Sequence, residues 1–124
     1  MGFSGLLEKI MEIDKNIRFT LVSDYYGNTV CCRHREGVEN YLTDYETHES
    51  LYNSGQMWRI RNEHSPKIGK GRYAFVEYGK ICRLTMPLSE DRLLLVTIGH
   101  TENPMRLIEP ILNQISYQEQ AQLV

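Results

Sequence analysis

The fold of this chain is decided by residues 72–99, RYAFVEYGKICRLTMPLSEDRLLLVTIG, which contain three consecutive runs with the composition of β-strands. Gly79-Lys80 separates the first run from the second, and the polar residues 89–92 separate the second from the third. Strands joined by such short polar links form hairpins. The stretch therefore predicts an antiparallel meander of three strands.

The last run of the meander, Leu93 to Ile98, is apolar at nearly every position. A strand with one face in water alternates between apolar and polar residues, so both faces of this strand must be covered. We therefore predict that it lies at the centre of a sheet with helices on both sides.

One helix and two strands precede the meander. Apolar residues between Phe3 and Ile13 recur at every third or fourth position, which predicts an amphipathic helix. The period changes to two between Ile17 and Val22, and turn residues at 24–28 lead into a second alternating run from Thr29 to Arg35. The two runs predict a hairpin whose second strand, being more polar, lies at an edge of the sheet.

A second helix is predicted between Gly37 and Gly71. The segment from Thr43 to Glu46 resembles a capping box, which marks a helix start. Gly55 interrupts the pattern and predicts either a weak point or a division into two short helices. The helix is expected to end before Ser65-Pro66, because the residue ahead of a proline avoids helical backbone angles.

A third helix is predicted after the meander. Asn103-Pro104 provides an N-cap residue and a first-turn proline, and apolar residues recur on one helical face from Ile108 to Ile115. Pro110 lacks a backbone N–H, so it predicts either a kink or a regular helix that starts near Glu109.

These elements combine into one architecture. If the two hairpins join through their most apolar strands, the sheet order becomes 2-1-5-4-3. Three helices then cover the two faces of a five-stranded antiparallel sheet. The predicted fold is α/β, a three-layer α/β/α sandwich with the element order α-β-β-α-β-β-β-α.

The length and composition of the chain fit one domain over residues 1–124. The polar residues 117–124 are expected to form a frayed tail. Of its 124 residues, 41% are hydrophobic and 24% are charged, and the formal charge is −2. That charge argues against binding to nucleic acid or to an anionic membrane, since both require an excess of Lys and Arg. No segment has the pattern of a signal peptide or the length of a membrane span.

The three cysteines are an odd number and include the adjacent pair Cys31-Cys32, whose side chains point to opposite faces in a strand. This is a poor arrangement for disulfides and fits a reducing compartment, so we predict a cytoplasmic location. Neither the cysteines nor His34 has the C-x-x-C spacing of a structural zinc site, and the predicted sheet places Cys32 three strands from Cys82.

Other residues that could carry chemistry also lack a known pattern. His48-Glu49 lacks the second histidine of a zincin helix, and no serine lies on a nucleophile elbow. The basic residues between Arg59 and Arg72 fit a solvated helix end and loop better than an anion-binding surface. A hydrolase or transferase that uses Cys82 or His100 ranks lowest. We predict no metal, no cofactor and no enzymatic activity.

The element order resembles the roadblock family of dynein light-chain-like proteins and, more loosely, the profilin-like folds that include longin domains. Residues 22–27, VSDYYG, look like the first hairpin of that family, and Leu93 to Val96 looks like its central strand. The runs IRFTLVSDYYGNTVCCRHREGV, KGRYAFVEYGK and PLSEDRLLLV are more similar still to a family of small archaeal proteins, which we interpret as a divergent branch. These motifs are turn and core residues, so the resemblance informs the fold more than the function.

The resemblance implies a homodimer, because roadblock domains join along the third strand and the helix after the second strand. It places five aromatic residues at or near the interface: Tyr45, Tyr52, Trp58, Tyr73 and Phe75. Any one of them fits a core position equally well, but they are many for a chain of this length, and aromatics are enriched in buried interfaces. The breaks predicted in the second helix depart from the smoother helix of the family.

Two functions from different classes follow. The resemblance implies a non-enzymatic homodimeric scaffold or a regulator of a small GTPase, with a protein as its partner. The alternative is a small-molecule sensor, since five-stranded sheets flanked by helices also resemble PAS-type domains with an internal pocket. A strict monomer would contradict the first function, and a fully packed interior would contradict the second.

Overall fold

The described part of the chain forms three α-helices and five strands in the predicted order. The computed structural model describes the backbone of residues 2–123 and the side chains of residues 2–116, so the frayed tail predicted at 117–124 lies outside the described side chains. The elements are α1 (Ser4–Ile13), β1 (Ile17–Ser23), β2 (Thr29–His34), α2 (Asp44–Ile68), β3 (Ala74–Glu77), β4 (Cys82–Pro87), β5 (Leu93–Ile98), a 3-10 turn (Pro104–Leu107) and α3 (Ile108–Leu123).

The five strands form one antiparallel sheet in the order β2-β1-β5-β4-β3, which confirms the predicted order. β5 lies at its centre, and every residue from Leu93 to Ile98 is buried. β2 and β3 are the two edge strands. No residue of β2 is fully buried, as its polar composition predicts.

Helices cover both faces of the sheet, so the domain is the predicted three-layer sandwich. α1 and α3 pack over the larger hydrophobic cluster, which includes Leu7 of α1 and Ile111 of α3. α2 packs on the opposite face, where Leu51 joins Leu21 and Leu95 in a smaller cluster. The two clusters differ because α2 is mostly polar and presents few apolar side chains to the sheet.

α2 is a single helix of 25 residues. The predicted capping box is confirmed, because the Thr43 hydroxyl accepts a hydrogen bond from the Glu46 N–H at 3.1 Å and the Glu46 carboxylate accepts one from the Thr43 N–H at 2.9 Å. Of the two alternatives predicted at Gly55, the division into two short helices does not occur. Gly55 instead permits close packing, since a Cβ there would lie 2.0 Å from the carbonyl oxygen of Tyr25.

The predicted end of α2 before Ser65-Pro66 is wrong, because the helix continues to Ile68. Pro66 lies in the last turn and has no N–H to donate to the carbonyl of Asn62, four residues earlier. The hydroxyl of Ser65 donates to that carbonyl instead, at 2.8 Å. Gly69 follows the last residue of the helix as its C-cap, with a φ of 93° that glycine alone adopts readily.

The start of α3 differs from the predicted N-cap. Asn103 has a φ of 47° and makes no side-chain cap hydrogen bond, and a 3-10 turn follows it. The α-helix begins at Ile108, so Pro110 lies in its first turn, where a missing N–H costs no helical hydrogen bond. Of the two outcomes predicted for Pro110, the later helix start is the observed one.

Candidate functional site

A groove with a volume of about 730 Å³ runs between α2 and the edge strand β3. We call it the α2–β3 groove. Its residues on α2 are Glu46, Glu49, Ser50, Asn53, Ser54, Met57 and Arg61. Its residues on the sheet are Ala74, Val76, Arg83 and Thr85.

Two side-chain hydrogen bonds fix α2 over β4 and so determine the shape of the groove. The indole N–H of Trp58 donates to the hydroxyl of Thr85 at 3.0 Å. The guanidinium of Arg83 donates to the hydroxyl of Ser50. Because positions 83 and 85 lie on one face of β4, the two bonds align residues 50–58 of α2 along that strand.

Apolar side chains are exposed beside an open sheet edge in this groove. Met57 is 48% exposed and Val76 is 47% exposed. β3 pairs only with β4 among the described strands, so the backbone groups on its outer side have no strand partner there. An open edge next to exposed apolar residues is a typical site for pairing with another chain.

The five aromatic residues predicted for an interface occupy different environments. Tyr45, Tyr52 and Tyr73 are exposed, but they do not line the groove. Phe75 is half-buried and packs against the larger cluster on the opposite face of the sheet. Trp58 is 1% exposed and belongs to the core of the domain, which is the other environment that the sequence allowed for these residues.

Sequence reasoning did not assign Met57 or Val76 to the site. On α2 the groove residues recur at every third or fourth position from Glu46 to Arg61, which is one helical stripe. That stripe is polar except for Met57, so a search for hydrophobic periodicity does not detect it. Val76 could have been found, because alternation in β3 places it on the same face as Ala74.

The cysteines are not arranged for chemistry. Cys31 packs against the larger cluster and Cys32 against the smaller one, on opposite faces of β2 as predicted. Burial raises the pKa of the Cys82 thiol, and the nearby Glu77 carboxylate raises that pKa further, so little reactive thiolate forms at neutral pH. His100 is exposed. Among residues with described side chains, no group of three His, Cys, Asp or Glu residues could hold a metal ion.

Two members of the predicted basic cluster have partners of their own. The guanidinium carbon of Arg61 lies 4.8 Å from the centre of the Trp58 ring, which is a cation–π contact. Arg72 pairs with Glu109 of α3 at 3.7 Å. These contacts direct the two arginines to different parts of the surface.

The sheet order, with two helices on one face and one on the other, is that of a Roadblock/LC7 domain. The Roadblock/LC7 domain from Streptomyces avermitilis matches this chain with a TM-score of 0.68 and 9% identity, over 97% of each chain. The gliding protein MglB from Thermus thermophilus matches with a TM-score of 0.66 and 8% identity, over 92% of this chain and 85% of its own. MglC from Myxococcus xanthus matches with a TM-score of 0.60 and 15% identity, over 95% of this chain and 99% of its own.

At these identities the likeness shows a shared fold. Searches against protein-family models and against curated proteins gave no match. In the part of the chain that the structure describes, no helix combines the length and the apolar character that crossing a membrane requires.

Proposed function

We propose that this chain is a non-enzymatic protein-interaction module that forms a homodimer through the α2–β3 groove. The dimer serves as a scaffold or as a regulator of a small GTPase. The observation that carries the proposal is the open edge of β3 beside exposed Met57 and Val76. The roadblock-type fold supports it. Divergence within an archaeal branch and a cytoplasmic location stay predictions.

The α2 wall of the groove is self-complementary about a two-fold axis. In an antiparallel pair of α2 helices whose axis passes between Asn53 and Ser54, Glu46 of one copy faces Arg61 of the second copy. The same symmetry brings Arg61 of the first copy to Glu46 of the second. Opposite charges therefore meet at both ends of the helix pair, while small side chains at its centre let the helices approach.

The same two-fold axis would also pass beside the middle of β3. Ser50 of α2 bonds to Arg83 of β4, and Trp58 of α2 bonds to Thr85 of β4. Leu84 lies between those two positions of β4, so the midpoint of residues 50–58 lies level with Leu84. Leu84 pairs with Phe75, which lies in the middle of the four-residue strand β3. A second copy related by this axis would pair β3 with β3 and join the two sheets.

We propose two different roles in this dimer for the five aromatic residues predicted at the interface. Tyr45, Tyr52 and Tyr73 are proposed at its rim, since each is exposed and lies on α2 or next to β3. Trp58 and Phe75 support the interface from beneath, Trp58 through its bond to Thr85 and Phe75 through the opposite face of β3.

Charge reversal tests the proposed dimer and its register. Arg61→Glu would place like charges together at both ends of the α2 pair, so we expect the dissociation constant of the dimer to rise by about tenfold or more. Glu46→Arg should have the same effect. Combining Glu46→Arg with Arg61→Glu should restore the dimer, because the charges are then exchanged and not lost. Sedimentation velocity at tens of micromolar measures all three variants.

A matched control separates the interface from general effects. Arg59→Glu makes the same charge change at an exposed position of α2 outside the groove and should leave the dimer intact. Because Arg61 also stacks on Trp58 and Glu46 also forms the capping box with Thr43, thermal unfolding of each variant checks that the fold is retained. A strictly monomeric wild-type protein, or a combined variant that does not dimerise, would overturn the proposal.

Regulation of a small GTPase predicts a partner whose binding depends on nucleotide. Affinity capture from the native cell, performed in parallel with GTP and with GDP, would retain such a partner in only one of the two states. If every captured protein is indifferent to nucleotide, the regulatory function is contradicted and the scaffold function is the one retained.

A further inference from the structure

A second cavity lies on the α2 side of the sheet, beneath the loop that joins β2 to α2. Its volume is about 500 Å³, which is within the range of small-molecule sites. We call it the β1–β2 cavity. Its floor is formed by Phe19, Leu21, Cys32 and Thr97. It meets the α2–β3 groove at a shared rim formed by Tyr41, Leu42, Ile81 and Arg83.

The cavity exists because α2 covers only part of this face. The buried residues of α2 are Leu51, Gly55 and Trp58, so its contact with the sheet begins about two turns after its start. The earlier turns carry the polar sequence DYETHES and leave Phe19 and Cys32 half-buried. An apolar floor without a helix above it leaves room for a ligand.

Two arginines with restrained guanidinium groups line the cavity. Arg18 donates to the backbone carbonyl of Glu39, and its guanidinium carbon lies 4.6 Å from the centre of the Tyr41 ring. Arg83 donates to the hydroxyl of Ser50. A guanidinium has several N–H donors, so donors remain for a ligand, and its planar form matches a carboxylate or a phosphate. Restraint before binding lowers the entropic cost of that contact.

The cavity also offers an aromatic surface. The rings of Phe19 and His34 pack with their centroids 4.9 Å apart and their planes tilted by 34°. Nδ1 of His48 donates a hydrogen bond to the carbonyl oxygen of Gly27 at 2.8 Å, which orients that ring at the cavity wall. Two carboxylates, those of Glu39 and Asp44, also line the cavity, and both residues are exposed.

We propose that the β1–β2 cavity binds a small planar molecule, an aromatic or heteroaromatic ring that carries one carboxylate or phosphate group. The ring lies against Phe19 and His34, and the anionic group is held by Arg18 and Arg83. The carboxylates of Glu39 and Asp44 disfavour ligands with a larger negative charge. This binding site goes beyond the interaction function and does not depend on the dimer.

Matched pairs of probes test the site. Indole-3-acetate and AMP carry the two anionic groups, and indole-3-acetamide and adenosine are their neutral counterparts. Calorimetry and ¹H–¹⁵N NMR should show binding of at least one anionic probe, with shifts at residues 18–19, 32–34 and 97. Its neutral counterpart should bind about tenfold more weakly, because it loses the charge-assisted hydrogen bonds. Comparing indole-3-acetate with AMP shows whether the site prefers a carboxylate or a phosphate.

Arginine variants locate the site. Arg18→Gln and Arg83→Gln should each weaken the anionic probe by about tenfold. Arg33→Gln is the matched control, since Arg33 pairs with Glu8 of α1 and does not line the cavity. Ser50→Ala removes the partner of Arg83 without removing the cation, so it should weaken binding less than Arg83→Gln does. The proposal is overturned if neither anionic probe binds at millimolar concentration, if the neutral probes bind equally well, or if both cavity variants bind like the wild type.

Discussion

The indole N–H of Trp58 and the hydroxyl of Thr85 form a 3.0 Å hydrogen bond that joins α2 to β4. Trp58 is 1% exposed and Thr85 is 9% exposed, so water cannot readily replace either partner. A buried polar group without a partner destabilises the folded state. The pair therefore stabilises the domain and holds α2 at the position that shapes both the groove and the cavity.

Thr85→Val leaves the indole N–H of Trp58 buried without an acceptor, and we expect it to lower the free energy of unfolding by about 1–3 kcal/mol. Trp58→Phe leaves the Thr85 hydroxyl unpartnered and also reduces packing. Combining the two substitutions should cost less than the sum of the single costs, because both polar groups are then removed. Equilibrium urea unfolding at one fixed protein concentration measures all three variants.

Thr29→Val is the matched control for this cycle. Thr29 is exposed at the start of β2, so the same chemical change should alter the free energy of unfolding by no more than about 0.5 kcal/mol. Strictly additive costs in the combined variant would mean that the hydrogen bond does not couple the two residues.

Gly55 is required by packing, and its replacement should destabilise the domain although it lies within a helix. Alanine favours the helix over glycine by about 1 kcal/mol. The new Cβ would nevertheless lie 2.0 Å from the carbonyl oxygen of Tyr25, which is backbone and has little freedom to move. We expect Gly55→Ala to lower the thermal midpoint, as measured by circular dichroism.

Gly5→Ala provides the comparison for that prediction. Gly5 lies in α1, and among the described residues no atom beyond its chain neighbours and the backbone of its own helix lies within 4 Å of the Cβ that alanine would add. We expect this variant to be as stable as the wild type or more stable. If Gly55→Ala behaved in the same way, the close approach of Tyr25 to α2 would be disproved.

The sheet could be predicted from the sequence because its signals are local. The apolar run from Leu93 to Ile98 identifies the central strand, and short polar links identify the hairpins. The ends and breaks of α2 could not be predicted in the same way. Local rules predict a weak point or a division at Gly55 and an end before Ser65-Pro66. Gly55 is instead required by the close approach of the Tyr25 backbone, and the hydroxyl of Ser65 bonds to the carbonyl that Pro66 leaves without its N–H partner.

The candidate sites depend on where α2 lies, and no local pattern encodes that position. Trp58 and Tyr52 are both aromatic residues of one helix, yet Trp58 is buried and Tyr52 is exposed. Their difference follows from which side of α2 faces β4, since Trp58 reaches Thr85 there. The groove and the cavity are the spaces that α2 leaves uncovered on its two sides, so they become visible only in the folded structure.

Asp14, just after α1, is an acidic group whose ionised form is stabilised by the fold. Its carboxylate accepts a 2.8 Å hydrogen bond from the N–H of Asn16 and pairs with Arg106 at 2.9 Å. The backbone hydrogen bond from Asn16, followed by the bond from Arg106, holds the pKa of Asp14 below its ordinary value of 3.8. The unfolded chain therefore binds a proton at this position at a higher pH than the folded chain does.

This difference predicts how stability changes with pH. The contribution of Asp14 is fully present above the unfolded pKa of 3.8 and is lost as the pH falls through the lower pKa of the folded state. Asp14→Asn retains an oxygen that can accept from Asn16 but has no charge, so between about pH 5 and pH 2 its free energy of unfolding should fall less steeply than that of the wild type. Urea unfolding across that range measures both proteins, and Asp24, whose pKa is also lowered, remains in both as a constant background. Parallel pH profiles would contradict the prediction, because they would mean that Asp14 binds its proton equally well in the folded and unfolded states.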